Sequence, residues 1–343
     1  NIYNQNQISK ELRKSLVEKL NLEFNFEKKF DYKFFPRPHF ITNESSLIFN
    51  EKKISEISKI KIYVSLDKLF SLKNMIVKDV VIDGANFNLN KNNYSFFIKL
   101  LDNNFKDIEF EILNSNIFYR NFEDEVLFIN KITNAKYIYD LNESKNILYS
   151  KNDIFNLPYS IELSNNEDKK KLSSKIEIKS LDLQIENQFS YGEKFNTGLS
   201  KFNFENLKSI VEYKANKNYF KFKLLDKAKN SKFSYNGKLN FRPFHSTLEG
   251  YTSEINFTHL FTANGIIKEL LKTEILNNKN IDFKLNIFAN EVKNFDQFEN
   301  ISLKSKIQEG LIDLDETEFN WKNFVNFNVT DSLIYIKDGK LIL

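Results

Sequence analysis

The 343 residues contain no cysteine, which removes disulfides, thiolate-ligated metals and thiol catalysis together and leaves the redox compartment open. Glycine and proline are scarce, at 8 and 4 residues, excluding collagen-like, glycine-linker and proline-rich chains. No apolar run approaches the roughly 18 residues of a membrane-spanning helix, and no signal peptide can be read. The glycines are dispersed (Gly84, Gly192, Gly198, Gly237, Gly250, Gly265, Gly310 and Gly339), so neither a dinucleotide loop nor a phosphate loop can be written. His39, His245 and His259 are far apart in sequence, and metal or triad readings rest on nothing local. Glu123-Asp124-Glu125 lacks the alternating oxygens and glycine of a calcium loop. Lys169-Lys170-Lys171 follows Glu167-Asp168 directly and reads as a charged loop. No catalytic residue, metal or cofactor is nominated, and the chain is expected not to be an enzyme. Fifty basic against 46 acidic residues, alternating in sign for a net charge of +4, leave no nucleic-acid footprint.

What is abundant is aromatic: 35 Phe, 15 Tyr and 1 Trp. Their spacing carries the structural signal. Ile8, Leu12, Leu16, Val17 and Leu20 recur at helical intervals among Lys10, Glu11, Lys14 and Glu18, which predicts an amphipathic helix over 7–20. At Asn21 the period changes to two, with Leu22, Phe24 and Phe26 opposing Glu23, Asn25 and Glu27. The same alternation recurs at Ile60-Ile62-Val64, Val80-Ile82, Phe87-Leu89, Ile108-Phe110-Ile112, Ile176-Ile178, Leu181-Leu183-Ile185, Phe220-Phe222-Leu224, Ile281-Phe283-Leu285-Ile287 and Ile301-Leu303. This predicts a mainly β chain, α+β by count of elements, whose long antiparallel sheet has one apolar face. Asn236-Gly237 between Phe233-Ser-Tyr235 and Leu239-Asn-Phe241 predicts a two-residue hairpin turn. Short helices are expected at 67–72, 94–101 and 265–276. No linker divides the chain, and the polar loop at 164–171 is its weakest internal boundary. An apolar face of this extent either closes in a sandwich or curls around something apolar; the pattern leaves both open, and the scarcity of Gly and Pro favours a long, gently twisting sheet.

The succession of elements over residues 1–115 resembles the N-terminal region of the AsmA family of bacterial envelope proteins. The resemblance runs from the amphipathic helix through the strand to Phe26 and the entry Phe35-Pro36-Arg37-Pro38-His39-Phe40. It continues over Ile60 to Leu72 and Ile76 to Leu89. Residues 116–343 then read as the continuing sheet, with Gly265 to Leu314 similar to the family's C-terminal region. Asn92-Asn93-Tyr94 replaces the Gly and Trp that often follow the Leu89 strand, and the usual C-terminal end is expected to be truncated after the turn at Asp338-Gly339.

The resemblance implies a periplasmic protein anchored in the inner membrane by a segment upstream of residue 1. Its sheet would be bent into a groove that carries phospholipid acyl chains toward the outer membrane and supports outer-membrane biogenesis. The groove candidates are Leu22, Phe24, Phe26, Ile60, Ile62, Val64, Val80, Ile82, Ile108, Phe110 and Ile112, with Ile8, Leu12, Leu16, Val17 and Leu20 on a membrane-proximal helix. Partners would be phospholipid, the inner membrane and outer-membrane or other envelope proteins, with no nucleic acid. The alternative is a non-catalytic envelope scaffold or assembly factor with a closed β-sandwich core.

Overall fold

A computed structural model describes residues 4–65, 75–90, 92–93, 95–103, 105–121, 123–166, 171–190, 196–204, 207–216, 218–225, 233–241, 244–256, 272–276, 278–337 and 340–342. The chain is mainly β, and it divides into two compact units: Asn1–Ile154 with Pro158–Glu177, and Phe155–Leu157 with Ile178–Leu343.

The first unit opens with α1 (Gln5–Leu20). The Asn4 side chain caps its start by accepting from the Asn6 N–H, and Asn21, in the left-handed region at φ 49°, returns its own N–H to the Val17 carbonyl. Ile8, Leu12, Leu16 and Leu20, four residues apart, fall on one stripe and are buried to 2% exposure or less. Val17, expected on that stripe, is 44% exposed: one position beyond Leu16 turns it about 100° away from the sheet.

Ten strands follow: β1 (Glu23–Phe26), β2 (Asp31–Lys33), β3 (His39–Phe49), β4 (Lys52–Val64), β5 (Val77–Leu89), β6 (Glu109–Arg120), β7 (Val126–Asp140), β8 (Lys145–Ile154), β9 (Leu157–Asn166) and β10 (Lys171–Ile178). β1 and β2 both pair with β3, which leads through β4, β5, β6 and β7 to β8; β9 pairs with β10. One row of the register reads Phe40, Ile62, Val80, Phe110, Tyr137 and Leu148 across six strands, and each is at most 4% exposed. This apolar row is the centre of the core, with α1 packed on β1 and β5. A second helix, α2 (Phe96–Leu100), adds Phe96 and Leu100, and Tyr137 donates its hydroxyl to the Phe97 carbonyl at 3.1 Å.

The expected all-antiparallel sheet is corrected at β5 and β6, which run parallel. A parallel pair needs a long crossover, and the 19 residues between the strands (90–108), which carry α2, provide it. A second expectation is refined in the same strands. Val80-Ile82 and Phe87-Leu89 belong to one strand whose inward phase changes at Gly84. Glu44, Ser58, Gly84, Asn114 and Thr133 form a line across β3 to β7 where the pairing skips a residue and the buried positions switch parity. Glu44, Gly84 and Asn114 have φ of 52°, 71° and 45°, the left-handed conformation that lets a strand absorb an extra residue. The Ser58 hydroxyl donates to the Gly84 carbonyl at 2.9 Å, and Ser115 Oγ accepts from the Ala85 N–H at 2.9 Å while donating to Leu113 O at 2.7 Å, so the fault leaves these backbone groups satisfied.

The second unit has β11 (Leu183–Ser190), β12 (Asn196–Phe204), β13 (Leu207–Ala215), β14 (Tyr219–Leu224), β15 (Phe233–Phe241), β16 (Phe244–Ile255), β17 (Asp282–Val292) and β18 (Phe298–Gln308), each paired with the next. β16 and β17 are the second parallel pair. β18 then pairs with both β19 (Leu311–Asp313) and β20 (Glu318–Trp321), which pair in turn with β22 (Ile334–Lys337) and β21 (Val325–Asn328); β22 also pairs with β23 (Lys340–Ile342).

The Asn236-Gly237 turn is absent: both residues lie inside β15, paired with Lys223 and Phe222. The reason is local packing. A side-chain Cβ at Gly237 would lie 2.4 Å from the Phe222 ring, so the ring occupies the space above the glycine and covers its backbone. Ser164-Asn165-Asn166, read as loop, ends β9. Of the other expectations, the 67–72 helix, most of the 265–276 helix, His259, the charges at 167–170 and the Asp338-Gly339 turn lie outside the described residues.

Candidate functional site

The groove residues expected from sequence are brought together, but as core of the first unit. Leu22, Phe24, Ile60, Ile62, Val64, Val80, Ile82, Ile108, Phe110 and Ile112 are 0–5% exposed, and Phe26 alone is half-buried. Their shared face is covered by helices that carry their own apolar stripes. Arg13 extends this cover at the sheet end, with its guanidinium 5.5 Å from the Phe26 ring and a hydrogen bond to Asn25 Oδ1. In this state those residues present almost no surface to a ligand.

Beyond the Leu148 end of that core, the buried positions turn polar. Tyr159 donates to Asn130 Oδ1 at 2.8 Å, and Ser150 donates to Asn152 Oδ1 at 2.9 Å. Burial raises the Tyr159 hydroxyl well above the ordinary phenol range, which keeps it a neutral donor. Asn146, 1% exposed, donates to the carbonyls of Leu101 and Asn103. These groups bond to one another and to the backbone, except that the buried Asn146 Oδ1 has no partner among the described residues.

The open apolar surface is in the second unit. Strand alternation and register together place Tyr213, Phe222, Gly237, Leu248 and Leu285 in one row over β13 to β17. Flanking rows on the same face contribute Val211 and Leu224, Phe220 and Leu239, Tyr235, Ile287 and Leu303. Most of these large side chains are half-buried, unlike their counterparts in the first unit; Val211 and Tyr213 are the buried ones. Neighbouring strands cover their flanks, while among the described residues no α-helix belongs to this unit. The reverse face carries Lys201, Glu212, Lys214, Lys221, Lys223, Glu249, Lys284, Lys304 and Lys306 together with the exposed apolar side chains of Leu199, Ile210, Tyr251 and Phe288. Six inter-strand steps from β12 to β18 at ~4.8 Å give the apolar face a breadth of roughly 29 Å.

The polar groups on this face are few, and among the described residues the buried Tyr213 hydroxyl has no hydrogen-bond partner. Ser209 and Tyr235 share a hydrogen bond of 2.7 Å, and Ser200 donates to Asn187 Oδ1 at 2.9 Å. Burial raises the Tyr213 hydroxyl. What remains among the described residues is rings and aliphatic chains, a surface that can take up apolar ligand by exclusion of water.

The sequence pattern had nominated Phe220, Phe222, Phe283, Leu285 and Ile287 only as strand residues, and Tyr213 and Leu248 not at all. At Ile210-Val211 two adjacent apolar residues blur the phase. The signal that singles out this face is the neighbouring sequence: few helical stripes accompany these strands, whereas the first unit's strands come with stripes to cover them.

Other features offer less. A polar cleft of about 550 Å3 beside Lys52, Lys53 and Arg120 has its guanidinium already bonded to Asn88 Oδ1 and the Asp124 carbonyl. Glu123 and Glu125 give their N–H groups to Asn121 Oδ1, which shapes a solvated turn. Among the described residues no three His, Asp or Glu side chains gather as metal ligands, and no helix is long and apolar enough to cross a membrane. No protein-family profile matches the chain, and no curated protein matches it in sequence.

Proposed function

We propose that the protein is a non-catalytic lipid carrier of a bacterial envelope, holding phospholipid acyl chains against the apolar face of its second unit. The observation that carries this reading is the apolar row through Tyr213, Phe222, Leu248 and Leu285, half-buried except at Tyr213 and continuous over neighbouring strands, while the reverse face alternates lysines and glutamates with single apolar side chains. Each acyl methylene withdrawn from water contributes about 0.8 kcal/mol, so a chain of ordinary length is held without any polar recognition. A surface of this chemistry selects for apolar length and leaves head groups in water.

The N-terminal resemblance to the AsmA family extends the proposal to place and direction: an inner-membrane-anchored periplasmic protein moving phospholipid toward the outer membrane, with envelope proteins as partners. The closed core of the first unit favours a second reading for that part of the chain, a scaffold that positions the lipid-bearing sheet.

Native mass spectrometry and solvent extraction of the purified protein test the lipid reading. Co-purifying phospholipid is expected, and its stoichiometry should fall when Phe222 and Leu285 are both replaced by Asn. Protein that is lipid-free after gentle isolation and takes up none from donor vesicles would contradict it.

A further inference from the structure

Between β2 and β3 the chain forms a tip that the lipid-carrier reading does not use. Residues 31–37, Asp-Tyr-Lys-Phe-Phe-Pro-Arg, are all exposed, although β2 is held in register by Asp31 opposite Ile41, Tyr32 opposite Phe40 and Lys33 opposite His39. At the tip Phe34 is 54% and Phe35 82% exposed, with their rings edge to face at 5.7 Å. Two adjacent phenylalanines at such exposure cost solvation without contributing to the core, so an occupant for them is wanted.

The base of the tip is fastened from several sides. Gln5 of α1 both donates to and accepts from the Phe30 backbone, at 3.0 and 2.9 Å. Thr42 Oγ1 donates to Lys28 O, and Arg37 lies 4.5 Å over the Tyr63 ring while its Nη1 pairs with Asp79 at 2.5 Å. The rings are therefore displayed on an anchored protrusion.

The charges around it have one sign left over. From Glu27 to Arg37 there are four cations against two carboxylates. Arg37 is engaged by Asp79 and Lys28 by Glu44, so the facing carboxylates of β3 and β5 are already spent. Lys29 and Lys33, both exposed, have no ion pair among the described residues. A convex pair of rings flanked by free ammonium groups suits a soft apolar phase behind a negatively charged surface, which is the interface of an anionic bilayer.

We infer that the 31–37 tip is a membrane contact that inserts Phe34 and Phe35 below the head groups while Lys29 and Lys33 meet lipid phosphates. It is separate from the acyl-binding face of the second unit: it addresses a bilayer surface, not an extracted lipid, and either function can fail without the other.

Sedimentation with sucrose-loaded phosphatidylcholine vesicles, with and without phosphatidylglycerol, tests it on the full chain. The wild-type protein should sediment with the anionic vesicles. Phe34→Ser/Phe35→Ser should weaken that binding roughly tenfold or more, and Lys29→Glu/Lys33→Glu should weaken it only on anionic vesicles. Because all four side chains are exposed, thermal melts should match wild type, and the double Phe variant should keep any lipid that co-purifies. In a Trp321→Phe background, Phe35→Trp should show blue-shifted emission with vesicles and quenching by brominated acyl chains. Wild-type protein that ignores vesicles, a double Phe variant that binds like wild type, or an unmoved Trp emission would overturn the inference. So would loss of self-association in the double Phe variant without lipid, which would make a second copy of the chain the occupant.

Discussion

Ser115 shows how one hydroxyl can carry a fault in a sheet. It is 2% exposed and bridges Ala85 N–H to Leu113 C=O where the pairing skips a residue. Ser115→Ala strands both groups in a buried site, and the expected cost is about 1–3 kcal/mol in chemical denaturation. Asp315 acts at the other end of the chain. Hydrogen bonds from the Ser332 N–H, then from its hydroxyl, hold the carboxyl below the usual carboxylate range. A depressed folded pKa contributes stability that is fully present above the unfolded value and lost as pH falls through the folded one. The protection of the Ser332 amide against hydrogen exchange, taken relative to its intrinsic rate at each pH, should therefore fall on acidification below about pH 4, and Asp315→Asn should flatten that dependence. Single residues of this kind were invisible in the sequence: Ser115 is a polar residue among many, and its role exists only because strands that are distant in sequence bring two unpaired backbone groups to it.

Elements were more legible. The four-residue spacing of Ile8, Leu12, Leu16 and Leu20 identified α1, and period-two alternation identified most strands. The same patterns say where they become unreliable. Val17 fits a broad helical stripe on paper and lies outside the narrower one that the sheet covers. Leu12→Ala should cost about 2–5 kcal/mol, and Val17→Ala should stay within about 0.5 kcal/mol, both read from denaturation midpoints. Asn236-Gly237 has the residues of a tight turn, yet it remains in β15 because Phe222 supplies the packing that glycine lacks. Turn propensity is a local preference worth little against a cross-strand ring. The change of inward phase at Gly84 was present in the sequence as Val80-Ile82 followed by Phe87-Leu89, but only the register shows it to be part of a line crossing five strands.

At the scale of the whole molecule, composition and alternation established a mainly β chain with apolar faces, while the choice of which face is covered depended on distant segments. In the first unit α1 and α2 bring stripes that close the core over Ile62, Val80 and Phe110. In the second, Phe222, Tyr235 and Leu285 have flanking strands and remain half-exposed. An abundance of phenylalanine is common to both and decides nothing; in the first unit the stripes of α1 and α2 do. Occupation of the second unit's apolar face by lipid is open to site-specific photocrosslinking in cells. A benzophenone side chain placed at Phe222 or Leu285 should capture phospholipid on irradiation, while the same group at Lys221 or Lys284 on the reverse face, or at buried Phe110, should capture little. Equal labelling of both faces, or none at Phe222 and Leu285, would contradict it.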